Sequence, residues 1–418
     1  MRPFFLILGL FVFARLYAQD KSSLEWDIDS VFDEPLAESP SEDTKTETTA
    51  TDMLKRKNLI FDASYEFVAG IMPSWREPPW SLSDDHGFFL DRAVKLRSLF
   101  GIDAQIDKYL RVRSDVYFEI PDFAFKLGDF FFDYNLYDVV FFRGGKYEQS
   151  WGISPNYNFT DLLARVPPKN KDDPKESFIF KADIPNGIGG FQVLFMTRSD
   201  LMHSPDDLEL EDIGFGGKFN LALSEADFDM GFFYQEGMPL RAFFSVKTTF
   251  WKTELYSEGL FAIDVHKPSN TSGAVSFGFA KDFFSGKLGV NWEAFYNAEK
   301  DAEFYRPETH IREAGSTRFV DGLNFALNLR YKLGGKGDPR LFALIRYAPF
   351  EKSAQFIPGF TLNPWPHIGF YFAVPMALGD KNGYYSIHTP MEYSDRPVPF
   401  QIIMLVTLSG SVKFGLTR

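Results

Sequence analysis

Cysteine is absent from this sequence, which excludes a disulfide framework, a thiolate metal site and a cysteine nucleophile together. Histidine is nearly as scarce. The six residues His86, His203, His266, His310, His367 and His388 form no His-x-x-x-His pair and no His-Glu-x-x-His motif. A Gly-x-Ser-x-Gly elbow, a P-loop and a dinucleotide-binding glycine fingerprint are also missing. Nothing therefore points to an enzyme, a cofactor or a metal. Positive charge is in deficit as well: the formal net charge is −13, which argues against nucleic acid as a partner, since phosphate binding needs a positive surface. Beyond the first eighteen residues, no apolar run is long enough for a membrane-crossing helix.

What the chain has in excess is aromatic side chains, at 17% of 418 residues, of which 48 are Phe. The opening "MRPFFLILGLFVFARLYA" reads as an export signal. Arg2 supplies a positive start, Phe4–Ala14 an apolar run, and Leu16-Tyr17-Ala18 a cleavage site. From Gln19 to Lys57 Ser, Thr, Glu, Asp and Pro dominate, with eleven acids against five bases. That composition predicts a flexible acidic tail. Within it "LEWDIDSVF" places Leu24, Trp26, Ile28, Val31 and Phe32 where they can dock on something, or simply remain solvated.

From Asn58 onward apolar and polar residues alternate. In "LRVRSDVYFEI" (Leu110–Ile120) the series Leu110, Val112, Ser114, Val116, Phe118, Ile120 interleaves with Arg111, Arg113, Asp115, Tyr117 and Glu119. "NLIFDASYEFVAGI", "LRSLFGIDAQID", "KLGVNWEAFYN" and "GLNFALNLRYK" behave alike. Each is about ten to fourteen residues long, the length that carries a tilted strand across a bilayer and longer than most soluble strands. Turn chemistry joins them at "SEAD", "EGMP", "PNG", "KPSNTSG", "FFSG" and "GGKGDP". Longer polar connections span Pro155–Glu176, Ser199–Asp212, Glu299–Arg318 and Gly379–Pro397. Lipid accepts only helices and closed barrels, because backbone polar groups find no partner there. The fold expected is therefore an all-β transmembrane antiparallel barrel over 58–418, of about sixteen strands within a range of 14–18. "VPFQIIMLVTLSGSVKFGLTR" reads as the closing strand pairing back on the first. It is similar to the C-terminal assembly signal of outer-membrane proteins, except that the chain ends in Arg418 rather than an aromatic residue.

"FFRGGKYEQSWGISPNYNFTDLLARVP" (Phe141–Pro167) resembles a Gly-basic-Gln, Trp-Gly, Asn, Asp-Leu hairpin of Gram-negative porin-like families. The resemblance implies that Lys146, Trp151 and Gly152 belong to a lumen-lining strand and that Asp161 and Leu162 mark the far side of a loop. The alternative is a girdle tryptophan beside a glycine bulge. The acidic "DIDSVFDE" leader before a Phe-rich barrel also resembles outer-membrane proteins of spirochaetes such as treponemes.

The function expected is a passive channel for small polar or charged solutes in the outer membrane of a diderm bacterium. Arg97, Arg111, Arg113, Arg143 and Lys146 are the candidate constriction, facing Asp103, Asp115 and Glu119, with Arg330 among the further lumen bases. Lys252 and Asp107 belong to the same inward set. Columns of opposite charge across a narrow lumen would orient a passing dipole. The same residues would serve equally as paired charges in a plugged barrel. Two rivals remain. One is a FadL-like transporter of hydrophobic solutes, with Met72–Asp91 as an inward plug but without the Asn-Pro-Ala opening of that family. The other is a surface adhesin on an inert barrel. The expected partners are outer-membrane lipid, the outer-membrane assembly machinery, small solutes and, for the barrel, further copies of itself as a homo-oligomer.

Overall fold

A strand with one apolar and one charged face needs two different surroundings, and a rolled sheet supplies both. In the computed structural model of this chain the sheet does roll. The structure describes residues 58–417 except 78–86, 107, 122, 158, 164–176, 198–212, 237, 238, 270, 299–321, 336, 380–384 and 386–398. The expected export signal, the acidic tail and Asp107 lie outside the described residues.

The first strands are β1 (Asn58–Trp75), β2 (Phe88–Gln105), β3 (Leu110–Ile120), β4 (Ala124–Leu136) and β5 (Val140–Tyr147). There follow β6 (Ser177–Asn186), β7 (Gly189–Thr197), β8 (Ile213–Ala222), β9 (Ala226–Gln235) and β10 (Leu240–Phe250). Next are β11 (Thr253–Ile263), β12 (Thr271–Phe283), β13 (Leu288–Asn297), β14 (Gly322–Lys332) and β15 (Arg340–Ala348). The last are β16 (Ser353–Trp365), β17 (Ile368–Ala373), β18 (Met376–Gly379), β19 (Phe400–Gln401) and β20 (Ile403–Thr417). Neighbours in sequence pair antiparallel. β17 and β18 share one wall position against β16, interrupted around Pro375, and β19 and β20 share the next against β1. The twenty segments thus make an 18-stranded closed barrel.

Eighteen is the upper end of the expected range. The extra strands are hard to see because Gly144–Gly145 in β5, Gly189–Gly190 in β7 and Pro375 weaken the alternation locally. The closing strand behaves as expected: β20 runs against β1 from Asn58↔Thr417 to Ile71↔Met404, and the Phe61 and Phe414 rings stack at 5.5 Å.

The two ends differ. Eight short turns, from 106–109 to 366–367, lie at the end that carries Asn58 and Thr417. The strand ends that flank 148–176, 198–212, 298–321 and 380–399 lie at the other end. "EGMP" and "KPSNTSG" are a correction: both belong to the long-loop end, where they close unusually short loops. Met72–Asp91 is a second correction. Met72–Trp75 pairs with Phe88–Asp91 in register, so both ends of this stretch extend the β1–β2 hairpin, while residues 78–86 between them lie outside the described residues.

Burial follows the alternation. On β10 Arg241, Phe243 and Ser245 are buried while Ala242 and Phe244 are exposed. The exposed set includes Phe100, Phe132, Phe191, Phe195, Phe244 and Phe277 around the wall. An apolar belt that encircles a molecule far exceeds the patches soluble proteins expose, and suits hydrocarbon. The inner face departs from a purely wet interior. A core of inward side chains, including Trp151, Tyr157, Phe159, Phe233, Phe243 and Phe295, fills one side of the lumen.

Candidate functional site

Three inner surfaces are set by the fold. The first is the wall β1–β5, where the expected constriction residues lie. Register pairs Asp103 with Arg113 and Gln105 with Arg111, so neighbouring strands present opposite charges at bonding distance. Arg111 binds Asp103 through two nitrogens, at 2.8 and 2.6 Å, and reaches Asp133 at 3.5 Å. Arg143 takes the same Asp133 at 2.6 and 3.0 Å. Arg113 pairs with Asp115 at 2.9 Å and Asp62 at 3.7 Å. Glu119 receives Arg97 at 3.5 Å and Lys126 at 3.1 Å. Arg97 and Arg143 also lie over the rings of Tyr117 and Phe131, at 4.1 and 4.3 Å. Every base of this group has an acid, so the wall is a neutralised mesh rather than a basic patch.

Lys146 does not join it. Residues 143 and 146 are an odd number apart, so a regular strand turns them to opposite faces. Lys146 pairs with Phe130, shares the face of that exposed ring, and folds its Nζ onto the Leu127 carbonyl at 2.5 Å. Lys252 is likewise misplaced by the sequence reading. It sits with Trp251 in the β10–β11 turn, both at positive φ.

The second surface is the segment 148–163, which follows β5 and passes into the barrel. It explains the porin-like hairpin differently from either expectation, since Trp151 is neither on a strand nor in an outer girdle. Its indole is buried, packs on Phe243 with centroids 5.5 Å apart, and donates through Nε1 to Gln192 at 2.7 Å. Gly216 on β8 makes the room, since a Cβ there would stand 3.0 Å from the indole. Gly152 has φ +108°, which a side chain would strain. Asp161 ties the segment's two ends together, accepting from the Trp151 amide at 2.8 Å and the Ser150 hydroxyl at 2.7 Å. Leu162 is fully buried in the inner core. Trp151, Gly152, Asp161 and Leu162 are thus one unit.

That unit is pinned across the lumen by two glutamates. Glu258 on β11 accepts from the Ile153 amide and the Thr160 hydroxyl, both at 2.6 Å. Glu293 on β13 accepts from the Ser154 hydroxyl, and from the Asn156 amide and side chain at 3.1 and 3.2 Å. Asn291 and Asn328 complete the Asn156 side chain at 2.7 Å each. Tyr157 and Phe159 both pack on Phe295, at 4.9 Å. The Tyr157 hydroxyl meets that of Tyr385 at 3.2 Å, which brings Tyr385 to the same constriction. Burial pushes both phenols above their ordinary value.

The third surface is β14–β15. Its inward charged residues are Arg330, Lys332, Arg340 and Arg346, and no acid stands among them on these strands. Arg340 pairs with Asp338 in the turn below. Arg346, level with the constriction, acts electrostatically on both Tyr157 and Tyr385. No ion pair joins Arg346 to any of the described residues. Arg330 therefore lies in the basic column, apart from the β1–β5 mesh.

The sequence reading missed Glu258, Asp133, Arg346's position at the narrowing, and the inward path of 148–163. Period two had the signal for the first two, since Glu254, Tyr256 and Glu258 share parity and so do Phe131 and Asp133. No local pattern tells an inward loop from an outward one.

No family model matches the chain, and no curated protein does. Solved structures do match in fold. OccK11 (OpdR) of Pseudomonas aeruginosa aligns at a TM-score of 0.52 and 8% identity, covering 84% of this chain and 96% of that one. OpdL of Pseudomonas aeruginosa aligns at 0.53 and 8%, covering 85% and 99%. OccAB3 of Acinetobacter baumannii aligns at 0.52 and 8%, covering 85% and 99%. The likeness lies in the closed barrel and spans almost the whole of each of those chains.

Proposed function

We propose that this chain is an outer-membrane porin through which small polar solutes diffuse passively. The observation that carries the reading is a barrel with an apolar outside, a charged inside, and a segment fastened across its lumen without a strand being broken. The solved structures that share the fold are outer-membrane channels, which supports the same reading. A wall that is neutral over β1–β5 and basic over β14–β15 produces a field across the passage. Solutes with an anionic end are favoured, because Arg346 stands at the narrowing with its charge uncompensated by a described acid. We read the barrel as a conduit rather than an enzyme, with membrane lipid and the assembly machinery as its partners in the outer membrane of a diderm bacterium. The spirochaetal likeness rests on the acidic leader and the Phe content.

The test is reconstitution in planar bilayers. Discrete conductance steps are expected, with a reversal potential in a salt gradient that favours anions. Arg346→Glu changes the charge at the narrowing by two and is expected to turn the preference toward cations. Membranes silent at every voltage would exclude the channel.

A further inference from the structure

The lipid-facing side of a barrel excludes charge. On the turn-end half of this wall, one charged side chain among the described strands breaks that rule. It is Lys281 of β12, in phase with the exposed rings of Phe277 and Phe283. Its Nζ lies 5.6 Å from the centre of the Phe283 ring and donates to the Trp251 carbonyl at 3.4 Å. None of the described acids forms an ion pair with it. Asp282 beside it has the opposite, inward phase.

Aromatic side chains surround this lysine. Thr253 pairs with Lys281, so the β10–β11 and β12–β13 turns are neighbours at one corner of the rim. Trp251 stacks on Phe250 at 4.7 Å, and Trp251 and Phe284 are 82% and 72% exposed. Each of those two residues opens its turn at positive φ, +49° and +53°. That conformation strains a bulky residue, and hairpin turns ordinarily give it to Asn or Gly. Facing water, such rings would gain nothing for the strain. At the edge of the hydrocarbon layer they lie at headgroup level, where a ring can be apolar on one side and wet on the other. Lys252 and Lys287 stand in the same two turns and make the corner basic.

We propose that the corner formed by Phe250, Trp251, Lys281 and Phe283 binds the headgroup of an anionic phospholipid in the leaflet on the turn side. Lys281 takes the phosphate, since an ammonium without an acid on an outward face can be satisfied only by an anion from the bilayer or by snorkelling to water. The rings cover the glycerol region below the phosphate. Two features favour lipid over a protein as the occupant. Phe250 and Phe283 continue the apolar belt without a break, so hydrocarbon already reaches the corner. The charge of Lys252, Lys281 and Lys287 complements a headgroup of negative net charge. The inference concerns the outer wall and holds whether or not the lumen conducts.

The experiment titrates the full chain, folded in detergent, with phosphatidylglycerol or with phosphatidylcholine of the same acyl chains. Native mass spectrometry counts the bound lipid, and a heat-dependent gel shift verifies closure of each barrel. Phosphatidylglycerol is expected to bind about fivefold more tightly, the ratio for one lysine at an anionic membrane surface. That preference is expected to fall as salt rises. Lys281→Gln is expected to erase it, Lys281→Arg to keep it, and Trp251→Ser to weaken uptake of both lipids. Lys413, opposite Asp62 on the inner face, is a base at the same end of the barrel. Lys413→Gln is expected to leave the preference unchanged. Equal uptake of the two lipids by the parent overturns the site, and so does a preference that rising salt or Lys281→Gln leaves intact. Loss of the preference in Lys413→Gln as well overturns it too, because net charge alone would then be read. Dimers in place of lipid adducts, abolished by Trp251→Ser, would assign the corner to a second copy and overturn the proposal.

Discussion

Removal of the Glu293 carboxylate tests whether the 148–163 segment is held or merely rests. Glu293 is fully buried and accepts from three neutral donors of the segment, the Ser154 hydroxyl, the Asn156 amide and the Asn156 side chain, besides the Tyr256 hydroxyl of β11 at 3.5 Å. Glu293→Ala leaves all three without their acceptor. Each orphaned donor costs about 1–3 kcal/mol when buried, and the opened space admits water that returns part of it. A net loss of about 3 kcal/mol for the inward placement follows, a shift of roughly 150-fold in the ratio of fastened to released segment. Glu293→Gln separates geometry from charge. Its carbonyl oxygen takes both Asn156 donors, and its amide donates to Ser154, whose hydroxyl accepts as readily as it gives. The variant keeps the contacts as neutral bonds and is expected to lose only about 1 kcal/mol. Single-channel recording reads the outcome: higher conductance with flickering noise for the alanine variant, near-normal steps for the glutamine. Alanine steps as quiet as the parent's would refute the clamp. Glutamine steps as noisy as alanine's would show that charge, not hydrogen-bond geometry, does the holding.

Three further outcomes are expected. Gly216→Val sets a side chain against the Trp151 indole and 2.7 Å from the Phe232 carbonyl, so the segment is expected to be displaced and the tryptophan emission to shift red. Phe132→Arg places a charge on the outer belt while Asp133→Asn alters only the mesh; the first is expected to cost about 2–4 kcal/mol in urea refolding into lipid vesicles, and the second much less. The Tyr157–Tyr385 contact follows pH with a defined sign. Both phenols are raised by burial above their ordinary value of 10.0, so the contact is fully present below that value and is lost as pH climbs past it toward the folded values. A conductance difference between the parent and a Tyr157→Phe variant that changes already between pH 7 and 9 would contradict this.

The parts of this architecture that could be read from the chain are those set by side-chain parity. "LRVRSDVYFEI" coincides with β3, and its Arg111 and Glu119 find acids and bases on the neighbouring strands because two-residue alternation and antiparallel register together fix which side chains meet. Parity also shows why Lys146 could not accompany Arg143. What parity does not carry is the sum of charge over a wall. Arg97, Arg111, Arg113 and Arg143 look like a basic cluster along the sequence, yet each bonds an acid supplied by its own strand or a neighbouring one. Arg346 stands out only because β14 and β16 bring it none.

The constriction was hidden for a different reason. Trp151, Asp161 and Leu162 signalled themselves as a motif, but the partners of the segment around them, Gln192 for Trp151, Glu258 for Ile153 and Thr160, Glu293 for Ser154 and Asn156, Asn328 for Asn156 and Tyr385 for Tyr157, are scattered over the rest of the chain. Asn156 and Glu293 are 137 residues apart, and only closure of the barrel makes them neighbours. A closed barrel lets one loop bond the inside of a distant wall, which an open sheet would never allow. The polar face of β13 therefore serves two purposes that sequence cannot separate. In a wet lumen Asn291 and Glu293 would be solvated groups; here they are a seat for another segment, and the aromatic core around Phe295 is the dry side of that seat. Inner charge alone does not measure how open such a barrel is. The fraction of that charge tied to strands, to the inward segment, or to neither decides it, and Arg346 belongs to the last class among the described residues.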